Sequence, residues 1–114
     1  MIALTLPYPP SANRYWRNYR GVTVKSDEAR IYQNHAGWLA KTAGYEMLTC
    51  DVEVTLRVYR PRKAGDLDNR IKVMLDTLRG IIYVDDEQVI KIVAERFDDK
   101  GNPRVELEVK ERRE

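Results

Sequence analysis

At 114 residues, with 33% charged and 43% hydrophobic side chains and a formal net charge of +2, the chain fits one soluble globular domain with a single core. No apolar run approaches the roughly 18 residues that span a bilayer, and Met1-Ile2-Ala3-Leu4 lacks the layout of a signal peptide, so a cytoplasmic protein without membrane attachment is expected. One histidine, His35, and one cysteine, Cys50, exclude most zinc sites, which need three or four nitrogen and sulfur ligands, and exclude an intrachain disulfide.

In chain order, Ile2 to Leu6 reads as a short strand stopped by Pro7, Pro9 and Pro10. Residues 11–21 are irregular, polar and aromatic, and Val22-Thr23-Val24 reads as a second short strand. Ser26 is a good N-cap, with Asp27 and Glu28 in the first turn of a helix whose apolar stripe is Ala29, Tyr32, Ala36, Leu39 and Ala43, stopping at Gly44. Val52, Val54, Leu56 and Val58 alternate with Glu53, Thr55, Arg57 and Tyr59, the period of a half-buried strand. Ile71, Met74, Leu75 and Leu78 mark a second helix from Asp68 to near Gly80. Strands follow over Ile81 to Val84 and Val89 to Phe97, then a turn over residues 98–103 and a last strand with Val105, Leu107 and Val109. Residues 110–114 are expected to fray. The expected architecture is a single α+β domain over residues 1–114, two helices packed on one mixed, mostly antiparallel sheet.

The small net charge hides an asymmetry. Residues 1–63 carry ten basic and five acidic side chains, a balance of +5, while residues 64–114 carry ten and thirteen, a balance of −3. A basic surface beside an acidic site suits a phosphodiester substrate, although a solvated mixed-charge surface accounts for the charge runs equally well.

The acidic site centres on Gly65-Asp66-Leu67-Asp68-Asn69, with Lys72 four residues after Asp68 and Asp85-Asp86 further on. Oxygen ligands of this kind select hard divalent cations, magnesium or manganese, which hold and activate phosphate groups. Asp66 and Asp68, two apart, point the same way on extended backbone, and Lys72 lies one helical turn beyond Asp68. Each member also has a purely structural reading: Asp68 as an N-cap, Asp68 with Lys72 as a surface ion pair, Asp85-Asp86 as turn residues. Neither a cap nor a turn requires Asp66. In the basic half, Arg14, Arg17 and Arg20 alternate with Tyr15, Trp16 and Tyr19, giving guanidinium groups for phosphates and rings for exposed bases; packing is the competing role for the rings. Tyr8 and Trp38 are read as packing residues, His35 as a surface residue and Cys50 as a small hydrophobe.

Leu6-Pro7-Tyr8-Pro9-Pro10-Ser11-Ala12-Asn13-Arg14-Tyr15-Trp16-Arg17 resembles the N-terminal signature of the RusA family of Holliday junction resolvases. Asp66-Leu67-Asp68-Asn69 with Lys72, and Val84-Asp85-Asp86-Glu87-Gln88-Val89, resemble its catalytic segments in the same order, with a slightly shorter connection between Lys72 and Asp85. The resemblance implies a homodimeric, magnesium-dependent endonuclease that nicks two opposed strands of a four-way DNA junction, of a kind often encoded by phages and prophages. It implies Asp66, Asp68 and Asp86 as metal-binding carboxylates, with Asp85 open as an alternative to Asp86, and Lys72 as the essential lysine. Lys72 would either offset developing negative charge or orient the nucleophile. The expected nucleic-acid-binding set is Asn13, Arg14, Tyr15, Trp16, Arg17, Arg20, Arg62 and Lys63. The alternatives are a non-catalytic DNA-binding module with a structural metal and a nuclease for flaps or RNA.

Overall fold

The computed structural model describes residues 1–62 and 67–112, without the side chains of Ala12 and Asn13. Its elements in chain order are β1 (Ile2–Pro7), a one-turn helix α1 (Ala12–Tyr15), β2 (Trp16–Tyr19), β3 (Val22–Lys25), α2 (Asp27–Thr42), β4 (Val52–Arg60), α3 (Leu67–Leu78), a 3-10 turn (Asp86–Gln88), β5 (Val89–Asp98) and β6 (Arg104–Glu111). Among the described residues, β2 and β3 form a separate hairpin, and the other strands form one sheet in the order β1-β6-β4-β5. The β1–β6 and β4–β6 pairs are antiparallel and β4–β5 is parallel, so the sheet is mixed, as expected. The parallel pair requires a crossover, and α3 provides it.

The register places the alternating apolar residues of three strands side by side: Leu56 faces Leu107, which faces Leu4, and Val58 faces Val105, which faces Leu6. Both long helices cover this face. From α2 come Ala29, Tyr32, Ala36 and Ala40, and from α3 Val73, Met74 and Leu78, all buried in one core with Val52, Val54 and Val109. Small residues along α2 allow close approach to its neighbours. The opposite face carries charge: Arg57 pairs with Glu106 and Glu108 at 3.3 Å, and Arg104 with Asp99 at 2.8 Å. Arg104 also lies 3.8 Å from the centre of the Tyr59 ring, which stacks on Phe97. This arrangement keeps one sheet face polar and leaves the other to the helices.

The Ser26 cap forms as the sequence predicts, its hydroxyl accepting from Ala29 N at 3.1 Å. Gly44 and Gly80, both at φ near +80°, follow the two long helices, a conformation that a Cβ would strain. Several expectations are corrected. Residues 12–19, read as irregular, form α1 and β2, because β2 pairs with β3 from Trp16↔Lys25 to Tyr19↔Val22. Ile81 to Val84 is not a strand. It is a turn with isolated bridges from Tyr83 to Leu48 and Arg79, and Gly80 N donates to Tyr83 O at 2.7 Å. Lys110 and Glu111 belong to β6 rather than a frayed tail, and Arg112 N donates to Asp51 O at 2.8 Å. Trp38 does not pack: it is 65% exposed, and the buried stripe of α2 runs through Gly37 and Ala40 in place of Leu39 and Ala43. No helix of the described residues is long and apolar enough to cross a membrane.

Candidate metal centre and nucleic-acid surface

Helical periodicity arranges the acidic motif. Asp68, Lys72 and Asp76 recur at intervals of four along α3, with Arg79 three further on, so one stripe of the helix is polar from end to end. Asp68 is exposed and lies in the first turn instead of capping it; among the described residues its Oδ1 accepts only from the adjacent Asn69 N at 3.1 Å. Leu67 is already helical, so the capping reading of Asp68 does not hold. Lys72 is exposed, and the ion pair with Asp68 that the spacing allows is not formed among the described residues. Asp66 and Lys63 lie outside the described residues, and so does the side chain of Asn13.

Asp85 and Asp86 take different tasks. Asp85 is the N-cap of the 3-10 turn, its carboxylate accepting from Asp86 N at 2.7 Å, while Gln88 Oε1 accepts from Asp85 N at 2.9 Å in a capping box. Gln88 also donates to the carbonyls of Leu48 and Cys50 at 3.0 and 2.8 Å, which ties the turn to the segment entering β4. The Asp86 carboxylate instead lies 3.5 Å from Arg79 Nη1, just past the C-terminal end of α3, and 3.4 Å from Tyr83 Oη. Tyr83, itself fully buried, donates to Leu75 O at 2.8 Å. The turn therefore ties up the Asp85 carboxylate in its cap and leaves that of Asp86 facing Arg79 and Tyr83.

Sequence reasoning missed a buried acid that organises this region. Asp76, 7% exposed, accepts from Tyr15 Oη, pairs with Lys25 Nζ at 3.1 Å and pairs with Arg79 Nη2 at 3.0 Å. Arg79 thus spans two carboxylates, Asp76 and Asp86, and Lys25 links them to the end of the β2–β3 hairpin. Burial, together with the hydrogen bond to Asp76, pushes the Tyr15 phenol well above its ordinary pKa. Burial, together with the charge of Asp86, does the same to Tyr83. Both phenols stay protonated, Tyr15 as a fixed donor to Asp76 and Tyr83 as a donor to the Leu75 carbonyl with Asp86 beside it. An aspartate flanked by Val73, Met74, Thr77 and Leu78, all core positions, was the available signal.

A metal here would have only carboxylate oxygens to bind, a donor set that fits a hard divalent cation. Among the described residues alone no group of three His, Cys, Asp or Glu side chains is placed to hold an ion. A three-carboxylate set of Asp66, Asp68 and Asp86 therefore requires Asp66.

The expected DNA surface divides. Arg17 and Arg20 are exposed on the hairpin, with Arg20 5.3 Å from the Tyr19 ring centre. Arg14 is exposed but pairs with Glu28 at 3.3 Å, and Arg62 is exposed at the end of the described segment before Asp66. Tyr15 is corrected: it is fully buried and bonded to Asp76, so it cannot stack on a base. Trp16 is half-buried, edge-on to Tyr15 at 5.0 Å.

Comparison with known proteins bears on this arrangement. The family model for endodeoxyribonuclease RusA matches residues 7–110. The crossover junction endodeoxyribonuclease RusA of Escherichia coli (strain K12) is 33% identical over 112 residues, covering 96% of this chain and 93% of that protein. Its counterpart in Enterobacteria phage 82 is 32% identical over 111 residues, covering 95% and 92%. With matches that run through the proline-rich start, the acidic helix and the Asp85-Asp86 turn, the chain belongs to the RusA family of endodeoxyribonucleases.

Proposed function

We propose that this chain is a magnesium-dependent, structure-specific endodeoxyribonuclease that resolves four-way DNA junctions by paired symmetric nicks. The observation that carries this reading is the pair of exposed side chains Asp68 and Lys72 one turn apart on α3, with the Asp86 carboxylate left out of the cap that holds Asp85. Asp66, Asp68 and Asp86 would hold the ion. When bound, magnesium, with manganese as a substitute, polarises the scissile phosphate and lowers the pKa of water. Lys72, exposed and one turn from Asp68, supplies a fixed positive charge where negative charge develops. Arg14, Arg17, Arg20, Arg62 and Lys63, with Asn13 and Trp16, attract and seat the phosphate backbone.

Labelled four-way junction, linear duplex, flap DNA and RNA, each with and without magnesium, test this directly. Symmetric nicks confined to the junction and dependent on magnesium are expected; equal cutting of flap or RNA, or binding without cutting, would replace this reading. In the same assay Lys72→Ala should lower the nicking rate by about 10²–10³ with little loss of binding, the usual effect of removing a charge aimed at the transition state. A surface ion pair lost at this position would leave the rate unchanged.

Two equivalent cuts call for two equivalent sites, which a closed two-fold dimer supplies. The free edge of the sheet supports a homodimer: β5 lies outermost, and Ile90, Ile92 and Val93 on it are 49%, 42% and 50% exposed. An unpaired edge bearing large apolar side chains is a template for association. Sedimentation should give a dimer, and Ile92→Lys should shift it toward monomer; a strict monomer at concentrations that support paired nicking would overturn the assignment.

A further inference from the structure

Arg70 sits two residues beyond Asp68 but points away from the polar stripe of α3. It is 8% exposed, its Nε donates to Tyr8 Oη at 2.9 Å, and its guanidinium lies 5.0 Å from the Tyr8 ring centre. Its Nη1 has no hydrogen-bond partner, and among the described residues no carboxylate pairs with it. A buried guanidinium without an anion is costly to maintain, because both the charge and its N–H donors have been taken from water.

The same side chain lines a cavity of about 680 Å³. One wall is the segment from Pro7 to Ser11, and the other is a stripe of α2 formed by Glu28, Ile31 and His35 at helical spacing. Arg14 and Arg62 complete the lining with Arg70, so three guanidinium groups surround the space. The one carboxylate among the described lining residues, Glu28, is already held by Arg14 at 3.3 Å. Ile31 is 70% exposed, an apolar face open to a ligand.

We propose that this cavity takes one unstacked nucleotide of the DNA strand, its phosphate on Arg70 and Arg62 and its base against the wall of Ile31 and the prolines. The inference rests on the DNA-cleaving reading above. Arginine binds phosphate through paired donors, and Nη1 of Arg70 is the donor that lacks an acceptor. The volume falls within the range of small-molecule sites, well above what a phosphate alone fills. Binding of single-stranded nucleic acid joins a positive lining to flat or apolar surfaces for bases, the composition found here. Arg62 and Arg70 flank the acidic segment, four residues before Asp66 and two after Asp68, so the nucleotide held would lie close along the strand to the scissile phosphate.

His35, the sole histidine, gives a resolved spectroscopic probe in the cavity wall. Titration of the metal-free protein with a deoxynucleoside 5′-monophosphate, monitored by NMR, should move the His35 ring resonances and the Arg70 Nε–H signal saturably. Inorganic phosphate alone and the nucleoside alone should each bind at least about tenfold more weakly, since each lacks one half of the contact. Arg70→Met should remove saturation and Arg70→Lys should retain part of it. Ile31→Asp, at an exposed position that leaves the core intact, should weaken the nucleotide by about tenfold or more by replacing the apolar wall under its base with a charge that must be desolvated. Absence of a saturable shift, the same binding by phosphate alone, or unchanged binding by Ile31→Asp and a folded Arg70→Met would overturn the proposal. No metal and no cleavage enter the titration. Nucleotide binding by a protein that fails to cut DNA would sink the nuclease reading alone, and cutting without nucleotide binding would sink the cavity alone.

Discussion

Asp68→Asn is expected to lower magnesium-dependent junction nicking by at least about 10³, because several kcal/mol of metal-derived stabilisation disappear from the transition state. The substitution changes charge and almost nothing else. Asp68 is exposed and, among the described residues, accepts a bond only from the neighbouring Asn69 N, so the described core does not depend on it. Junction affinity should hold or rise, because one negative charge fewer then faces the phosphates. Asp86→Asn should behave alike. Asp85→Asn should not: its carboxylate caps the 3-10 turn, asparagine caps nearly as well, and the cost should be under about 1 kcal/mol of stability with nicking retained. Single-turnover nicking of all three variants, beside their urea midpoints, checks the set. Near-wild-type cleavage by Asp68→Asn, or an Asp85→Asn variant as inactive as Asp86→Asn, would refute the ligand assignment.

Asp76→Ala should cost about 3 kcal/mol of stability, the lower end of the penalty for removing one partner of a buried ion pair. The lower end applies because Lys25 and Arg79 keep side-chain exposures of 26% and 45% and can turn toward water. Tyr15 cannot, since its hydroxyl is left in the core without its acceptor. Arg79 also loses the anchor that sets it against Asp86, so nicking should fall even at temperatures where the variant remains folded. Tyr15→Phe provides the contrast, removing one donor while both ion pairs remain, and should cost about 1 kcal/mol. Urea denaturation of the three proteins measures the difference, and an Asp76→Ala midpoint equal to wild type would show the network to be dispensable.

Local rules made much of the fold legible. The alternation of Val52, Val54, Leu56 and Val58 matches a strand buried on one face, and Ser26 with Asp27 and Glu28 marks the start of α2 to the residue. Tertiary context decided the rest. Ile81 to Val84 is as apolar as a strand, but Ile82 and Tyr83 are buried against the helices, and the backbone groups there are satisfied by Gly80, Leu48 and Leu78 instead of a ladder. Trp38 and Tyr15 exchange their expected places, since helix rotation and a remote carboxylate, Asp76, determine which ring enters the core. In the candidate site, the spacing of Asp68 and Lys72 is legible in the sequence, whereas the capping box that occupies the Asp85 carboxylate is visible only in three dimensions. Arg70 carried no signal in the sequence, and only the packing of Tyr8 against it shows it to be buried.

The strand order has a consequence for when a nuclease exists at all. β6, residues 104–111, lies between β1 and β4 and pairs with both, so the two halves of the sheet have no direct ladder until the last of these strands is in place. A nascent chain released after Asp86 has every proposed metal ligand yet lacks the strand that completes its core with Val105, Leu107 and Val109. Assembly of the sheet is thereby tied to synthesis of β6, and a product that stops before residue 104 lacks the strand that joins β1 to β4.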